Sequence, residues 1–264
     1  MQLQSVPLLS ILGMIFSLLI SIGLPFALCI LVRRKMKAKV SSFFIGCLTF
    51  VIFALILEQL LHGLVFTLSG TYLTERIWLY ALYGGLAAAA FEETGRFLSM
   101  KLFMKKNITR ENAVMYGIGH GGIEAILIVG LSSLSNLLTT VMINTGGLEK
   151  SLSILDSTLR ETTIQRLSVL WTTPGHMFFL AGIERIIAIA LHICLSVLVY
   201  KTVSGGKKCF FMLAFALHFL VDFVTVVAAS YISLIWVEAV LFVMIALIAF
   251  FTLQVYKRDT ISII

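Results

Sequence analysis

Seven runs of apolar residues, near 5–32, 41–69, 77–103, 112–142, 173–200, 209–229 and 231–256, occupy most of this 264-residue chain. Each is long enough to cross a hydrocarbon layer of about 30 Å as a helix. Inside lipid a backbone must satisfy its own hydrogen bonds, so only helices and closed barrels span it. The chain therefore reads as an all-α polytopic membrane protein of about seven transmembrane helices. Its composition agrees, with 59% hydrophobic and 12% charged residues, far from soluble averages. The whole of 1–264 reads as one helical bundle. The first run is too long for a signal-peptide core and has no basic stretch before it, so it reads as a retained helix.

The charges then set the orientation. Arg33, Arg34, Lys35, Lys37 and Lys39 follow the first run; Lys101, Lys105, Lys106 and Arg110 follow the third. Lys201, Lys207 and Lys208 follow the fifth, and Lys257 and Arg258 the seventh, so that 14 of the 20 Lys and Arg share one side. The positive-inside rule makes that side cytoplasmic, with the C-terminus there and the N-terminus outside. The net charge of +7 thus belongs to topology. No basic segment is interleaved with aromatics, and nucleic acid is not an expected partner. Cys29, Cys47, Cys194 and Cys209 form no CxxC pair and read as small packing residues. Asn107-Ile108-Thr109 fits a glycosylation pattern but falls on the cytoplasmic side. The short loops suit a multi-pass protein of a bacterial plasma membrane.

The sizeable outer loop, 143–172, carries Leu148, Leu152, Leu155 and Leu159 at helical spacing. Glu149, Lys150, Asp156, Arg160 and Glu161 lie between them. This pattern predicts one amphipathic helix on the outer interface. Pro174 then suits the first turn of the next helix.

One run breaks the apolar rule. Within 77–103 stand Glu92, Glu93 and Arg96, and an ionisable group at membrane depth costs roughly 2.5–3.5 kcal/mol on insertion scales. Three within five residues require partners. Glu92 precedes Lys101 by nine residues, His120 follows Arg110 by ten, His192 precedes Lys201 by nine, and His218 follows Lys208 by ten. At the helical rise all four lie roughly 14 Å from the cytoplasmic edge, on four different helices. A common level implies one buried polar site within a four-helix core, roughly 77–229. Spacing of four predicts the pairs Glu92–Arg96, His120–Glu124 and His218–Asp222. Arg96 would hold one glutamate ionised, and the other is a candidate general base. Gly117, Gly119, Gly121 and Gly122 around His120 predict close helix approach. Glu58, His62 and Glu238 read as structural, Glu124 and Glu184 as deeper supporting groups, and His176 as outside the site.

Two acids and three histidines in a buried site suit peptide-bond hydrolysis in or beside the bilayer. A carboxylate would activate water, and the histidines would orient it or stabilise the oxyanion. A zinc-dependent version would use Glu93, His120, His192 and His218 around an open metal position. With no HExxH on any helix, cofactor-free glutamate chemistry is the first expectation and zinc the second. A transporter or proton relay would also use such groups, but no inverted repeat is present. A non-catalytic scaffold would leave the common depth unexplained.

The order Glu92-Glu93-x-x-Arg96, His120-x-x-x-Glu124, His192, His218-x-x-x-Asp222 resembles the CAAX-protease and PrsW clan of intramembrane proteases. The Gly119-His120-Gly121-Gly122-x-Glu124 run is most similar to the YhfC group. That resemblance implies Glu92 or Glu93 as the water-activating base. It also implies His120 or Glu124 from the second motif, His192 and His218 as orienting groups, and Asp222 as support for the oxyanion. It implies a peptide or membrane-protein substrate. The glutamates stand one residue closer to the arginine than in the CAAX enzymes, which leaves the choice between Glu92 and Glu93 open.

Overall fold

A computed structural model describes residues 2–261 of the chain, with side chains as far as Lys257. Arg258, counted among the cytoplasmic cations, lies outside the described side chains. The described residues form helices and turns, with no strand. Four long helices come first: Leu8–Met36 (α1), Val40–Ser69 (α2), Ile77–Leu102 (α3) and Arg110–Asn144 (α4). Three short ones follow, Gly147–Leu152 (α5), Ser157–Leu167 (α6) and Val169–Thr172 (α7). The chain closes with Gly175–Gly205 (α8), Cys209–Ala229 (α9) and Leu234–Ile261 (α10).

Six of these, among the described residues, are long and apolar enough to cross a membrane: α1, α2, α4, α8, α9 and Leu234–Lys257 of α10. They match the expected runs closely. The expected seventh, α3, is not among the six. Its 26 residues are ample for the distance, but Glu92, Glu93, Arg96 and Lys101 lower its hydropathy. The residues that make this helix the centre of the site also weaken its claim to be a span.

The fold has two compact units. One comprises Met1–Leu24 and Ala125–Ile186. Its core gathers Val6, Met14, Ile143, Leu152, Ile164, Leu170 and Trp171. Asn144 grips Val6 through both backbone groups, accepting from its N–H at 2.8 Å and donating to its C=O at 3.2 Å. The single amphipathic helix expected over 148–159 is replaced by α5 and α6. Asp156 is the reason: its Oδ1 accepts from the Leu159 N–H at 2.9 Å, capping a new helix where the pattern implied continuity. Leu148, Leu152 and Leu155 join the core, whereas Leu159 is exposed.

The other unit comprises Pro25–Glu124 and Ile187–Ile264. Its core includes Met100, Tyr116, Leu191, Leu195, Leu198, Val221 and Leu241. The glycines of α4 let neighbouring backbones touch it, as expected from sequence. A Cβ on Gly119 would lie 2.0 Å from the Phe43 carbonyl oxygen of α2, and one on Gly117 would lie 2.6 Å from Ile193 Cα of α8. Contacts that short admit no side chain. Helix α4 is therefore held against α2 and α8, and this seats His120 and His192 beside each other.

Candidate functional site

The second unit buries an interacting set of ionisable side chains contributed by α3, α4, α8 and α9. Glu93, Arg96 and His120 are fully buried, and Glu92, His192 and His218 nearly so. Glu124 and Asp222 are half-buried. All eight residues expected from the sequence fall in this cluster.

Arg96 is the hub. Its Nε donates to Glu93 Oε2 at 3.1 Å. Nη1 donates to the His192 carbonyl at 3.0 Å and to Ser196 Oγ at 2.6 Å, while Nη2 reaches His192 Nδ1 at 3.0 Å. A guanidinium stays charged and carries only donors, which suits it to a buried position with several acceptors. Glu93 is fully engaged: Oε2 meets Arg96, and Oε1 meets His218 Nδ1 at 2.8 Å.

Glu92 faces the other way. Its Oε2 lies 2.8 Å from His120 Nε2 and 3.9 Å from His192 Nδ1. His192 Nε2 lies 2.6 Å from Glu124 Oε2. His218 Nε2 lies 3.6 Å from Asp222 Oδ2, beyond hydrogen-bond range. Ring centroids of His120 and His192 are 4.8 Å apart, and those of His192 and His218 are 5.7 Å apart. Phe50 and Tyr116 pack on His120, edge-on and stacked, and its Nδ1 has no hydrogen-bond partner among the described residues.

The expected residues do come together, but of the three expected pairings only His218–Asp222 is found, as a loose contact. Arg96 pairs with Glu93 at a spacing of three, not with Glu92 at four. His120 meets Glu92 across helices, and Glu124 meets His192. Counting along a helix gives depth; it does not give the rotation that chooses among groups at one depth. Glu184, expected as a supporting group, pairs with its neighbour Arg185, and His176 is exposed; both belong to the other unit. Glu58, His62 and Tyr83 form a chain of contacts at 3.2 and 2.8 Å, a structural cluster of the kind expected for the first two. The sequence reading missed Ser196, Phe50 and Tyr116. Ser196 stands four residues after His192 and was open to the same spacing argument.

The donor chemistry fits a metal ion. Glu92, His120 and His192 each offer one ligand atom, and these atoms lie within 4.8 Å of one another. One carboxylate oxygen with imidazole nitrogens is a usual catalytic zinc set. The expected metal carboxylate was Glu93; each of its oxygens already accepts one hydrogen bond, and the carboxylate in the converging group is Glu92.

A family model described as YhfC intramembrane metalloprotease matches residues 16–245. A protein of Bacillus subtilis (strain 168) carrying the name "Uncharacterized membrane protein YhfC" is 40% identical over 200 residues. The matched region covers 74% of this chain and 76% of that one. No solved structure matches the chain.

Proposed function

The chain belongs to the YhfC intramembrane metalloprotease family, and from that premise we propose that it hydrolyses peptide bonds in or beside the bilayer with a bound metal ion. The observation that carries the reading is the buried group of Glu92, His120 and His192, from three different helices, with ligand atoms within 4.8 Å. Glu92 and His120 would hold the ion together with a further imidazole from α8 or α9. Bound zinc would polarise the scissile carbonyl and make water a nucleophile near neutral pH. Cofactor-free glutamate chemistry, the first expectation from sequence, gives way to the second, because the family description and the donor group both favour a metal.

The remaining side chains divide the proton work. Glu93 is locked between Arg96 and His218, with one partner on each oxygen. Glu124 is half-buried and 2.6 Å from His192 Nε2. Its carboxylate takes a proton from the attacking water and returns it to the leaving amine. Arg96 holds the α3 and α8 parts of the site in register. The substrate is a peptide segment of a membrane protein, since the site lies on apolar helices. The seven-span topology, with α3 crossing and the C-terminus cytoplasmic, belongs to the same reading, as does a bacterial plasma membrane. Kinship with the wider CAAX-protease and PrsW clan rests on the four motifs.

Reconstitution with a transmembrane test peptide addresses this directly. Cleavage should stop on treatment with a strong chelator and return with zinc. Cleavage that persists in fully metal-free protein would restore the glutamate mechanism.

A further inference from the structure

The second unit has a cavity that the polar site does not use. It is a groove of about 360 Å³ bordered by α1, α4, α8 and α10. On α8, Ala190, Ile193 and Val197 line it, whereas His192 and Ser196 turn the other way, to Arg96. On α10 the lining runs from Ala249 to Tyr256, about 10 Å of helix. All four helices are long and apolar enough to cross a membrane. Among the described residues no polar atom reaches the groove wall. Water finds no partner in such a space, and an apolar cavity takes an apolar guest.

Size and wall chemistry select among guests. A helix about 10 Å across fills roughly 420 Å³ for each turn of about 5.4 Å, so a transmembrane peptide helix does not enter. An extended peptide would bring backbone N–H and C=O groups to a wall that cannot bond them. A lipid acyl chain has neither problem.

The charge of the guest is set by what adjoins the groove. Met36 lines it, and the next residue, Lys37, lines a second pocket of about 430 Å³ together with Arg33, Lys39 and Ser41. The two pockets share a packed wall. Met36, Val114 and Ile193 of the groove and Ala38 and Val40 of the second pocket belong to one apolar cluster. Arg33, Lys37 and Lys39 are exposed, and among the described residues no acid lines their pocket. Lys39 Nζ donates only to a neutral amide oxygen, that of Asn107. The Arg110 guanidinium lies over the Tyr256 ring of the groove, 4.6 Å from its centroid, although Glu111 partly neutralises that cation. Three cations without an acid, beside an apolar slot at the helix ends, match a phosphate ester joined to hydrocarbon.

We propose that the groove and the basic pocket together bind one anionic phospholipid. An acyl chain lies against α8 and α10, and Arg33, Lys37 and Lys39 hold the headgroup phosphate. The chain packs on the face of α8 opposite His192 and so braces the helix that brings that residue to the site. This binding does not depend on the metal reading above.

The test titrates the full chain in detergent with dioleoyl phosphatidylglycerol or dioleoyl phosphatidylcholine and counts bound lipid by native mass spectrometry. One phosphatidylglycerol per chain should persist after loosely held lipid has exchanged into detergent, and it should raise the midpoint of thermal unfolding. Arg33→Gln combined with Lys37→Gln changes exposed side chains only and should weaken binding roughly 30-fold. Ala249→Trp fills the groove and should remove the lipid, whereas Phe242→Trp, on an exposed part of the same helix, should keep it. If Ala249→Trp does not fold, the charge variant decides alone. Equal affinity for phosphatidylcholine, or full retention of phosphatidylglycerol in the charge variant, overturns the assignment. Displacement of the lipid by a transmembrane test peptide overturns it too, and makes the peptide the occupant.

Discussion

The two units of this protein bury polar groups in different ways. In the unit of Met1–Leu24 and Ala125–Ile186, the side-chain hydrogen bonds that join helices mostly run from single polar groups to the backbone. Ser17 donates to the Phe178 carbonyl, and Asn144 clasps Val6; Glu184–Arg185 is the ionisable exception. In the unit of Pro25–Glu124 and Ile187–Ile264, acids, imidazoles and a guanidinium meet one another across helices. A hydroxyl bound to a carbonyl is neutral and complete, and it tightens a helix contact with no proton to exchange. A carboxylate–imidazole pair is costly to bury, depends on its partners, and can move a proton or hold a cation. Polarity that fastens and polarity that reacts are thus distinguishable by partner type, before any family is considered.

The distinction makes graded predictions. Arg96→Ala strands the buried Glu93 and removes three contacts to α8. It should cost ~3–5 kcal/mol of stability and abolish turnover. A midpoint of thermal unfolding in detergent close to wild type would mean the network does not hold the second unit together. Glu124→Gln should lower kcat by ~10²–10⁴-fold while leaving the unfolding midpoint in place. A fall in midpoint without loss of kcat would move Glu124 to the fastening class. Gly119→Ala forces a methyl into the Phe43 carbonyl; it should destabilise by ~1–3 kcal/mol and reduce turnover by displacing His120. Asn144→Ala, in the other unit, gives up two backbone hydrogen bonds, worth ~1–2 kcal/mol together. Its cleavage rate per folded molecule should be unchanged, and a rate falling as far as in Glu124→Gln would erase the contrast.

Much of this was legible in the sequence for identifiable reasons. Apolar run length located the helices, since lipid forces every backbone group into one. The nine- and ten-residue offsets of Glu92, His120, His192 and His218 from the basic clusters predicted that these side chains share a level, and the fold does bring them into one cluster. Rotation about each helix axis was not legible. The spacing-of-four rule therefore paired Arg96 with Glu92 and His120 with Glu124, where the fold pairs Arg96 with Glu93 and His120 with Glu92. Helix-to-helix approach at Gly117 and Gly119 sets those rotations, and that is a tertiary fact. Likewise Asp156 read as one charge on an amphipathic face, although its side chain caps the start of a second helix. In α3 the same carboxylates that announced the site lowered the hydropathy by which a span is recognised.

The central claim is that the buried polar group holds a metal for peptide hydrolysis. The metal content of the purified wild-type chain and of Glu92→Gln, by elemental mass spectrometry, tests it most directly. Near-stoichiometric zinc in the wild type and little in the variant is the expected result. A wild-type chain that is metal-free as isolated, takes up no zinc on incubation and still cleaves a membrane peptide would contradict it.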